Sequence, residues 1–358
     1  MSDARETRQL ITDAAHRLFD QYVSREVQEK AEAGTWPGAL WTALEEAGLT
    51  LAAVPEQFGG TGGAVGDELA VLRASGRYAT PVPLAETMLA GWLLADAGLK
   101  VPLGPMSLAP TQRTDALSLA KTAAGWTLSG TAHRVPWGRS VQHVAVLAKA
   151  PGGNAVALVK AGAAKVESGA NLAGEPRDSL VFNNVALAPD SVSKTGTTPD
   201  DLMQMGALMR AAQMTGALER ILDLAVRYAG ERSQFGRNIG KFQAVQQQLA
   251  VLAGQVAASG RAVESAYEQR EQAGDLAFAA AVAKARVGEA ASIGAGIAHQ
   301  VHGAIGFTHE HMLHYSTRRL WSWRSEFGGD AYWQELIGRR IAKAGADKLW
   351  PLMTGTAG

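Results

Sequence analysis

Apolar residues recur at three- and four-residue spacing in the first part of the chain, as in Leu10, Ala14 and Phe19. This spacing places apolar side chains on one face of a helix. The chain from Glu6 to about Leu99 is therefore predicted to be helical, with breaks at its Gly- and Pro-containing segments.

The pattern changes between about Pro105 and Pro189, where short runs of β-prone residues are separated by Gly, Pro and Asn. Runs of this kind, bounded by turn residues, are typical of strands. We therefore predict a β domain in the middle of the chain. Its predicted strands include Leu117–Ala120, Trp126–Leu128, His143–Leu147, Ala155–Val159 and Ser179–Phe182.

Helical periodicity returns from Thr198 onward. Ile221, Leu224 and Tyr228 fall on one face of a helix, and the Ala-rich run from Leu276 to Ala298 suits a buried helix. We expect four or five helices here, packed as a bundle.

These patterns predict an α+β multidomain protein. The domains are an N-terminal helical domain (1–103), a middle β-barrel or β-sandwich domain (104–195) and a C-terminal four-helix bundle (196–358). With 358 residues, 47% of them hydrophobic, the chain is long enough to bury several cores.

Charge and cysteine content narrow the possible functions. The 34 basic residues balance 34 acidic ones, so no overall field attracts nucleic acid or an anionic membrane. The absence of cysteine excludes disulfides, thiolate catalysis and iron–sulfur ligation. The charged start lacks the apolar run of a signal peptide, and no stretch reaches the roughly 18 apolar residues of a membrane span. We expect a cytoplasmic protein whose partners are small molecules or other proteins.

The segment from Arg227 to Arg237 carries the densest candidate chemistry. A helix is predicted to end near Gly230, and a polar turn precedes an apolar helix that starts near Phe242. Arginine offers a bidentate fork to a diphosphate, so a guanidinium, an amide and a phenyl ring at a helix break suit a phosphate-bearing aromatic cofactor. A capped helix end with solvated charges is the alternative interpretation.

Four motifs resemble those of the acyl-CoA dehydrogenase family and follow one another along the chain in the order that the family shows. The strongest is Tyr228-x-x-x-Arg232-x-Gln234-Phe235-Gly236 followed by Phe242-Gln243. The others are similar to the family's Gln-x-x-Gly-Gly-x-Gly-Phe element and to its N-terminal patterns, and lie at His299–Thr308, Leu40–Gly48 and Val54–Gly62.

This resemblance implies an oligomer with FAD held between subunits. Arg232 and Gln234 would reach the diphosphate, with Phe235 packed nearby and Gln243 on the helix that follows. A second set, Gln300, Gly303 and Ala304, would lie by the diphosphate and adenine end of an FAD bound mainly by the neighbouring subunit. Ala304 stands where the family usually has Gly.

The middle domain matches the family less well. The Trp-Ile-Thr expected over the flavin ring is replaced by Arg134-Val135-Pro136, so Val135 and Pro136 are the expected flavin contacts. The usual Thr-Glu-Pro-x-x-Gly-Ser loop is absent, and Leu108–Thr111 stands in its place. These departures indicate a divergent branch of the family.

Catalysis in this family needs a carboxylate that removes the α-proton of an acyl thioester while hydride leaves the β-carbon for flavin N5. One of the two base positions known in relatives falls at about Gly206, which carries no carboxylate. The other falls between Glu326 and Gly328, where the usual Glu-Gly-Thr is missing. Glu326 is the predicted base, with a pKa raised by aromatic neighbours, and Asp330 is the alternative.

The resemblance therefore implies FAD-dependent α,β-dehydrogenation of an acyl-CoA thioester in acyl-CoA or fatty acid degradation, with electrons passing to an electron-transfer flavoprotein. Two alternatives remain open. The first is a catalytically silent subunit that shares FAD with a related partner; the second is another flavin reaction, such as monooxygenation. The expected assembly is a homodimer, a homotetramer or a heterotetramer with a related subunit. No metal site is predicted, because His309 and His311 do not share a helical face.

Overall fold

The computed structural model describes the backbone of residues 2–354 and the side chains of residues 6–351. The N-terminal part is helical. Its helices are α1 (Ser2–Tyr22), α2 (Arg25–Glu32), α3 (Gly38–Glu46), α4 (Val65–Arg77) and α5 (Leu84–Asp96).

The middle part is an eight-stranded sheet whose main path runs β6-β7-β3-β2-β4-β5-β8, with β1 pairing in parallel with β4. All five predicted runs lie inside its strands. The strands are β1 (Met106–Ala109), β2 (Ala116–Thr122), β3 (Gly125–Pro136), β4 (His143–Ala150), β5 (Gly153–Lys160), β6 (Lys165–Glu167), β7 (Arg177–Leu187) and β8 (Val192–Thr195).

The C-terminal part is again helical, and a short hairpin interrupts it. The helices are α6 (Pro199–Glu231), α7 (Gln243–Glu271), α8 (Leu276–His302), α9 (Leu313–Ser325), α10 (Asp330–Ala344) and α11 (Leu349–Thr354), and the hairpin consists of β9 (Ser233–Gln234) and β10 (Arg237–Asn238). Among the helices of residues 2–354, none is long and apolar enough to cross a membrane.

The 33-residue helix α6 organises the molecule. It starts at a capping box, in which the Thr198 hydroxyl accepts from the Asp201 amide and the Asp201 carboxylate accepts from the Thr198 amide, with Pro199 at the first helical position. Its first half is buried almost all round, because α4, α5, α8 and α9 pack against it. The two helical parts consequently share one apolar core, which also takes in Met106, Leu108, Ala145, Leu147 and Val156 from one face of the sheet. Most other buried apolar residues of the sheet form a second core.

Candidate functional site

The predicted cofactor clamp is a tight hairpin that follows α6. Strand β9 pairs with β10 through a two-residue turn in which Phe235 and Gly236 both have positive φ, +49° and +77°. The Ser233 hydroxyl bonds to the Asn238 side chain at 2.9 Å, and the Ile239 amide donates to the Arg232 carbonyl at 2.8 Å. The turn therefore has a defined shape before any ligand binds.

The clamp side chains project away from the rest of the chain. Arg232, Gln234 and Gln243 are exposed, and the ring of Phe235 is 91% exposed, with only an edge contact to Phe242 at 6.2 Å between centroids. An aromatic ring held this far into solvent on a hydrogen-bonded turn is free to contact a ligand or another subunit.

The second predicted cofactor segment lies beside the clamp. Helix α8 ends at His302, and Gly303 reverses the chain with φ +62°. The His302 ring stacks on Tyr228 of α6 at 4.7 Å between centroids, which brings the ends of α6 and α8 together.

The predicted contacts of this second segment, Gln300, Gly303 and Ala304, are all exposed. A Cβ added to Gly303 or to Gly236 would meet nothing within 4 Å. The backbone at both turns is therefore open to a ligand.

The two predicted flavin contacts of the middle domain are placed differently. Val135 is fully buried in the core of the sheet. Pro136 is also buried, and its carbonyl accepts from the Ser107 hydroxyl at 2.6 Å. Neither side chain is presented on the surface of this chain, so their contact with flavin stays a prediction.

The region of the two predicted base positions contains little empty space. Phe327, in the loop between α9 and α10, has φ +52° and is 5% exposed, and a Cβ added to Gly206 would overlap its ring. The cavity that remains has a volume of about 10 Å³ and is lined by Glu86, Gly206, Arg210 and Phe327 with three apolar neighbours. That volume is about the size of one water molecule.

Glu326 lies in the same loop, and both of its carboxylate oxygens are engaged. Arg177 donates to Oε1 at 2.8 Å and to Oε2 at 3.1 Å, while Arg210 contacts Oε2 at 2.8 Å. The Asn171 amide adds a contact to Oε1 at 3.3 Å. The side chain of Glu326 is 11% exposed.

These contacts belong to a larger cluster of buried charges, which we call the charge cluster. Arg210 also bonds Glu86 at 2.6 Å, and Glu175 joins Arg177 and Arg319, each at 3.0 Å. Three acids balance three arginines, so the cluster is neutral as a whole and each charge has a partner. Its members are Glu86 of α5, Glu175 and Arg177 at the start of β7, Arg210 of α6, Arg319 of α9 and Glu326.

The arginines lower the pKa of Glu326, the predicted base, and of Glu175 beside it. Burial alone would raise the pKa of Glu326, but the charges of Arg177 and Arg210 outweigh burial and hold this pKa below its usual value. Likewise, Arg177 and Arg319 overcome burial and lower the pKa of Glu175 to about 2. The predicted raised pKa of Glu326 was therefore wrong, because its nearest neighbours are guanidinium groups.

Asp330, the alternative base, is the first residue of α10, and its carboxylate accepts from Arg324 at 2.6 Å. Lys284 of α8 lies beneath the same loop and is fully buried. Its ammonium donates to the carbonyls of Arg324 at 2.6 Å and Gly328 at 2.8 Å. Burial lowers the pKa of Lys284 to about 7.

Sequence patterns did not identify most members of the charge cluster, or Lys284, as part of the site. A signal was present, since Glu86, Arg210 and Lys284 each interrupt a long apolar helical run. A charge in such a run needs a buried partner. No metal site was predicted at the histidines near the end of α8. The described residues contain no group of three or more His, Asp or Glu able to hold a metal ion.

Helical, sheet and helical parts in this order, with an exposed clamp between α6 and α7, define the architecture of a flavin-dependent acyl-CoA oxidoreductase. Residues 5–100 match the domain described as acyl-CoA dehydrogenase, N-terminal domain, and residues 199–342 match acyl-CoA dehydrogenase, C-terminal domain. The chain belongs to the acyl-CoA dehydrogenase family.

Individual relatives agree with this assignment. The chain is 30% identical over 312 residues to the acyl-CoA dehydrogenase IpdE2 of Mycolicibacterium smegmatis, covering 86% of this chain and 89% of the relative. It is 31% identical over 349 residues to the acyl-CoA dehydrogenase FadE27 of Mycobacterium tuberculosis, with the same coverage of both chains. A chain of the ChsE4-ChsE5 complex from Mycobacterium tuberculosis superposes with a TM-score of 0.87 at 27% identity, over 95% of this chain and 98% of that one.

The family, the fold class, the oxidoreductase class and the FAD cofactor predicted from the sequence are thus confirmed. The chain's own residues fit FAD, because the clamp presents a guanidinium, two amides and a phenyl ring beside open backbone at Gly236 and Gly303. Arg232 and Gln234 would hold the diphosphate, and Gln300, Gly303 and Ala304 its adenine side. These individual roles remain predictions.

Proposed function

We propose that this chain is the FAD-sharing subunit of a heteromeric acyl-CoA dehydrogenase. In this proposal the chain supplies its clamp to the FAD of a related subunit, and that subunit supplies the carboxylate base for α,β-dehydrogenation of an acyl-CoA thioester. The observation that carries the proposal is the lack of space at the two predicted base positions, where an acyl chain would have to lie and which we call the acyl position. There, Phe327 and the charge cluster occupy the space between Gly206 and Glu326.

Steric closure is the first argument. Pockets that hold a ligand of cofactor size enclose roughly 300–1,000 Å³. The cavity at the predicted base position measures about 10 Å³. The ring of Phe327 is packed beside Gly328, whose carbonyl accepts from the buried Lys284, and beside Glu326, which is paired with Arg177. Opening the site would therefore require moving a packed ring and a buried ion pair together.

Electrostatics is the second argument. A general base works best with a pKa near the operating pH and with a free lone pair aimed at the substrate proton. Glu326 has a lowered pKa, and its oxygens accept from Arg177, Arg210 and Asn171. A carboxylate held in this way is a structural counter-ion. Proton abstraction by Glu326 would first have to break two buried ion pairs.

The exposed clamp is the third argument for the proposal. When bound, FAD would supply the hydride acceptor for the β-carbon of the thioester. Arg232 would place a positive charge at its diphosphate, Gln234 and Gln243 would donate hydrogen bonds, and Phe235 would cover an apolar edge. All four side chains are exposed on this chain, which suits a cofactor held mainly by a neighbour.

One relative supports a paired assembly. The similar chain in the ChsE4-ChsE5 structure is part of a complex of two named subunits. On this support we propose that the chain forms a heterotetramer with a related subunit, with an electron-transfer flavoprotein as the electron acceptor.

An anaerobic titration tests the proposal. The purified full-length chain with added FAD is titrated with a panel of acyl-CoAs, alone and together with the acyl-CoA dehydrogenase subunit that co-purifies with it from its native host. We expect no bleaching of flavin absorbance by the chain alone and bleaching by the complex. Arg232→Met should weaken FAD retention by the complex, whereas Arg339→Met, at an exposed site on α10, should not.

The opposite result would mean that the chain catalyses the dehydrogenation itself. Bleaching by the chain alone, abolished by Glu326→Gln with FAD retained, would identify Glu326 as the base and contradict the proposal. Bleaching by the complex that is lost in Glu326→Gln, with FAD and assembly unchanged, would also assign the chemistry to this chain.

A further inference from the structure

The turn after α8, residues 303–307, is held between two stacks of aromatic and imidazole rings. We call Tyr228, His302 and His311 the inner stack, and Phe307, His299 and Trp321 the outer stack. Both stacks centre on a histidine from the last turn of α8. The turn between them is the segment predicted to lie against FAD.

The inner stack connects the turn to the clamp. His302 lies 4.7 Å from Tyr228 and 4.5 Å from His311, measured between ring centroids. The His302 Nδ1 bonds the Ala298 carbonyl at 2.7 Å, which fixes the plane of the ring. Tyr228 stands one helical turn before Arg232, so this stack fixes the end of α6, and with it the clamp, against the end of α8.

The outer stack connects the turn to α9. His299 is sandwiched between Phe307 at 4.3 Å and Trp321 at 5.6 Å, with nearly parallel rings in both pairs. Its Nε2 lies 3.0 Å from the Thr317 hydroxyl of α9. Phe307 is 70% exposed on its other side. The outer stack therefore holds the end of the turn without burying it.

Neutral imidazoles suit this arrangement. Burial lowers the pKa of His299 and His302 and, with help from the neighbouring His302, lowers the pKa of His311 to about 4. At neutral pH the rings carry no charge, so they pack like flat apolar groups while each still makes one hydrogen bond.

We propose that His302 and His299 are positioning residues for FAD, which hold the 303–307 turn and the Arg232–Gly236 clamp in register on one shared cofactor. This inference rests on the proposed FAD-sharing function. It assigns no chemistry to the imidazoles, since they act through the backbone of Gly303 and the guanidinium of Arg232. Loss of the ring contacts of one stack is expected to weaken the affinity for FAD about tenfold.

Three variants of the full-length chain test the inference. Each is prepared as the assembly and studied with and without FAD. His302→Leu removes the ring, His302→Phe keeps a ring without its hydrogen bond, and His309→Leu changes an exposed histidine outside both stacks. The readouts are the FAD dissociation constant from flavin fluorescence and amide hydrogen exchange of the 232–238 and 303–307 segments without FAD.

His302→Leu is expected to raise the FAD dissociation constant about tenfold and to speed exchange in both segments. His302→Phe should stay within about threefold of the wild type, because it keeps the stack. His309→Leu should match the wild type. Unchanged exchange and unchanged FAD affinity in His302→Leu would overturn the inference, as would faster exchange with unchanged affinity. A wild-type assembly that takes up no FAD would overturn the proposed function as well.

Discussion

At the scale of single residues, the decisive feature is a glycine opposite a phenylalanine. Gly206 is at one of the two base positions predicted from the sequence, and the ring of Phe327 fills the space that a side chain there would need. Close packing of this kind leaves no tolerance for an added methyl group. The pair makes the closed acyl position testable without any substrate.

Gly206→Ala is the first prediction. Replacing a helical glycine with alanine normally stabilises a helix by about 1 kcal/mol. At Gly206 the overlap with Phe327 should reverse the sign and cost about 1–3 kcal/mol. Gly254→Ala in α7 is the matched control, because its Cβ would meet nothing within 4 Å and the normal gain is expected. Urea unfolding measures both, and an equal gain in the two variants would contradict the placement of Phe327.

Elements were more predictable from the sequence than the contacts between them. Helical and alternating patterns depend on neighbours a few residues apart, and the turn at Gly230–Gly236 follows from local chemistry. The charge cluster depends on partners far apart in the chain, since Arg210 and Glu86 are separated by 124 residues and Arg177 and Glu326 by 149. No local pattern specifies such pairs. Glu326 was accordingly found as a candidate, but its arginine partners were missed.

The element that carries Glu326 and Phe327 is itself held by a second element. Lys284 of α8 is bonded to the carbonyl of Arg324 in the last turn of α9 and to that of Gly328 in the α9–α10 connection, and its side chain is wholly buried. Lysine has an ordinary pKa of 10.5, and burial lowers the pKa of Lys284 to about 7. Between these values the unfolded chain keeps a proton that the folded chain has released.

A pH dependence of stability is the second prediction. Because unfolding takes up this proton, the free energy of unfolding should rise between pH 7 and pH 10 by at most about 1.4 kcal/mol per pH unit. Lys284→Met should flatten that rise and lower stability at pH 9. Lys343→Met, at an exposed site on α10, should leave the slope unchanged. Urea unfolding at three pH values is the measurement, and equal slopes in the wild type and Lys284→Met would contradict the prediction.

At the scale of the molecule, the charge cluster joins all three parts of the chain at one point. Glu86 comes from the N-terminal helices, Glu175 and Arg177 from the sheet, and Arg210, Arg319 and Glu326 from the C-terminal helices. The helical parts also share an apolar core, to which β1, β4 and β5 contribute five buried residues, whereas most of the sheet's buried apolar residues form a second core. The ion pairs of Arg177 are expected to add to this limited apolar contact in coupling the sheet to the helices.

Arg177→Met is the third prediction. Breaking a buried ion pair costs about 3–5 kcal/mol, because the remaining carboxylates of Glu175 and Glu326 lose their compensation. We also expect the sheet to uncouple, so that amides of β3 and β4 exchange hydrogen faster than those of α6 and α8. Lys165→Met is the control, since Lys165 pairs with Glu167 on β6 of the sheet and both side chains are exposed. It should cost about 1 kcal/mol or less and leave exchange in the sheet and helices coupled. Equal protection of strands and helices in Arg177→Met would mean that apolar contacts alone join the domains, and that the charges fill the acyl position without holding the molecule together.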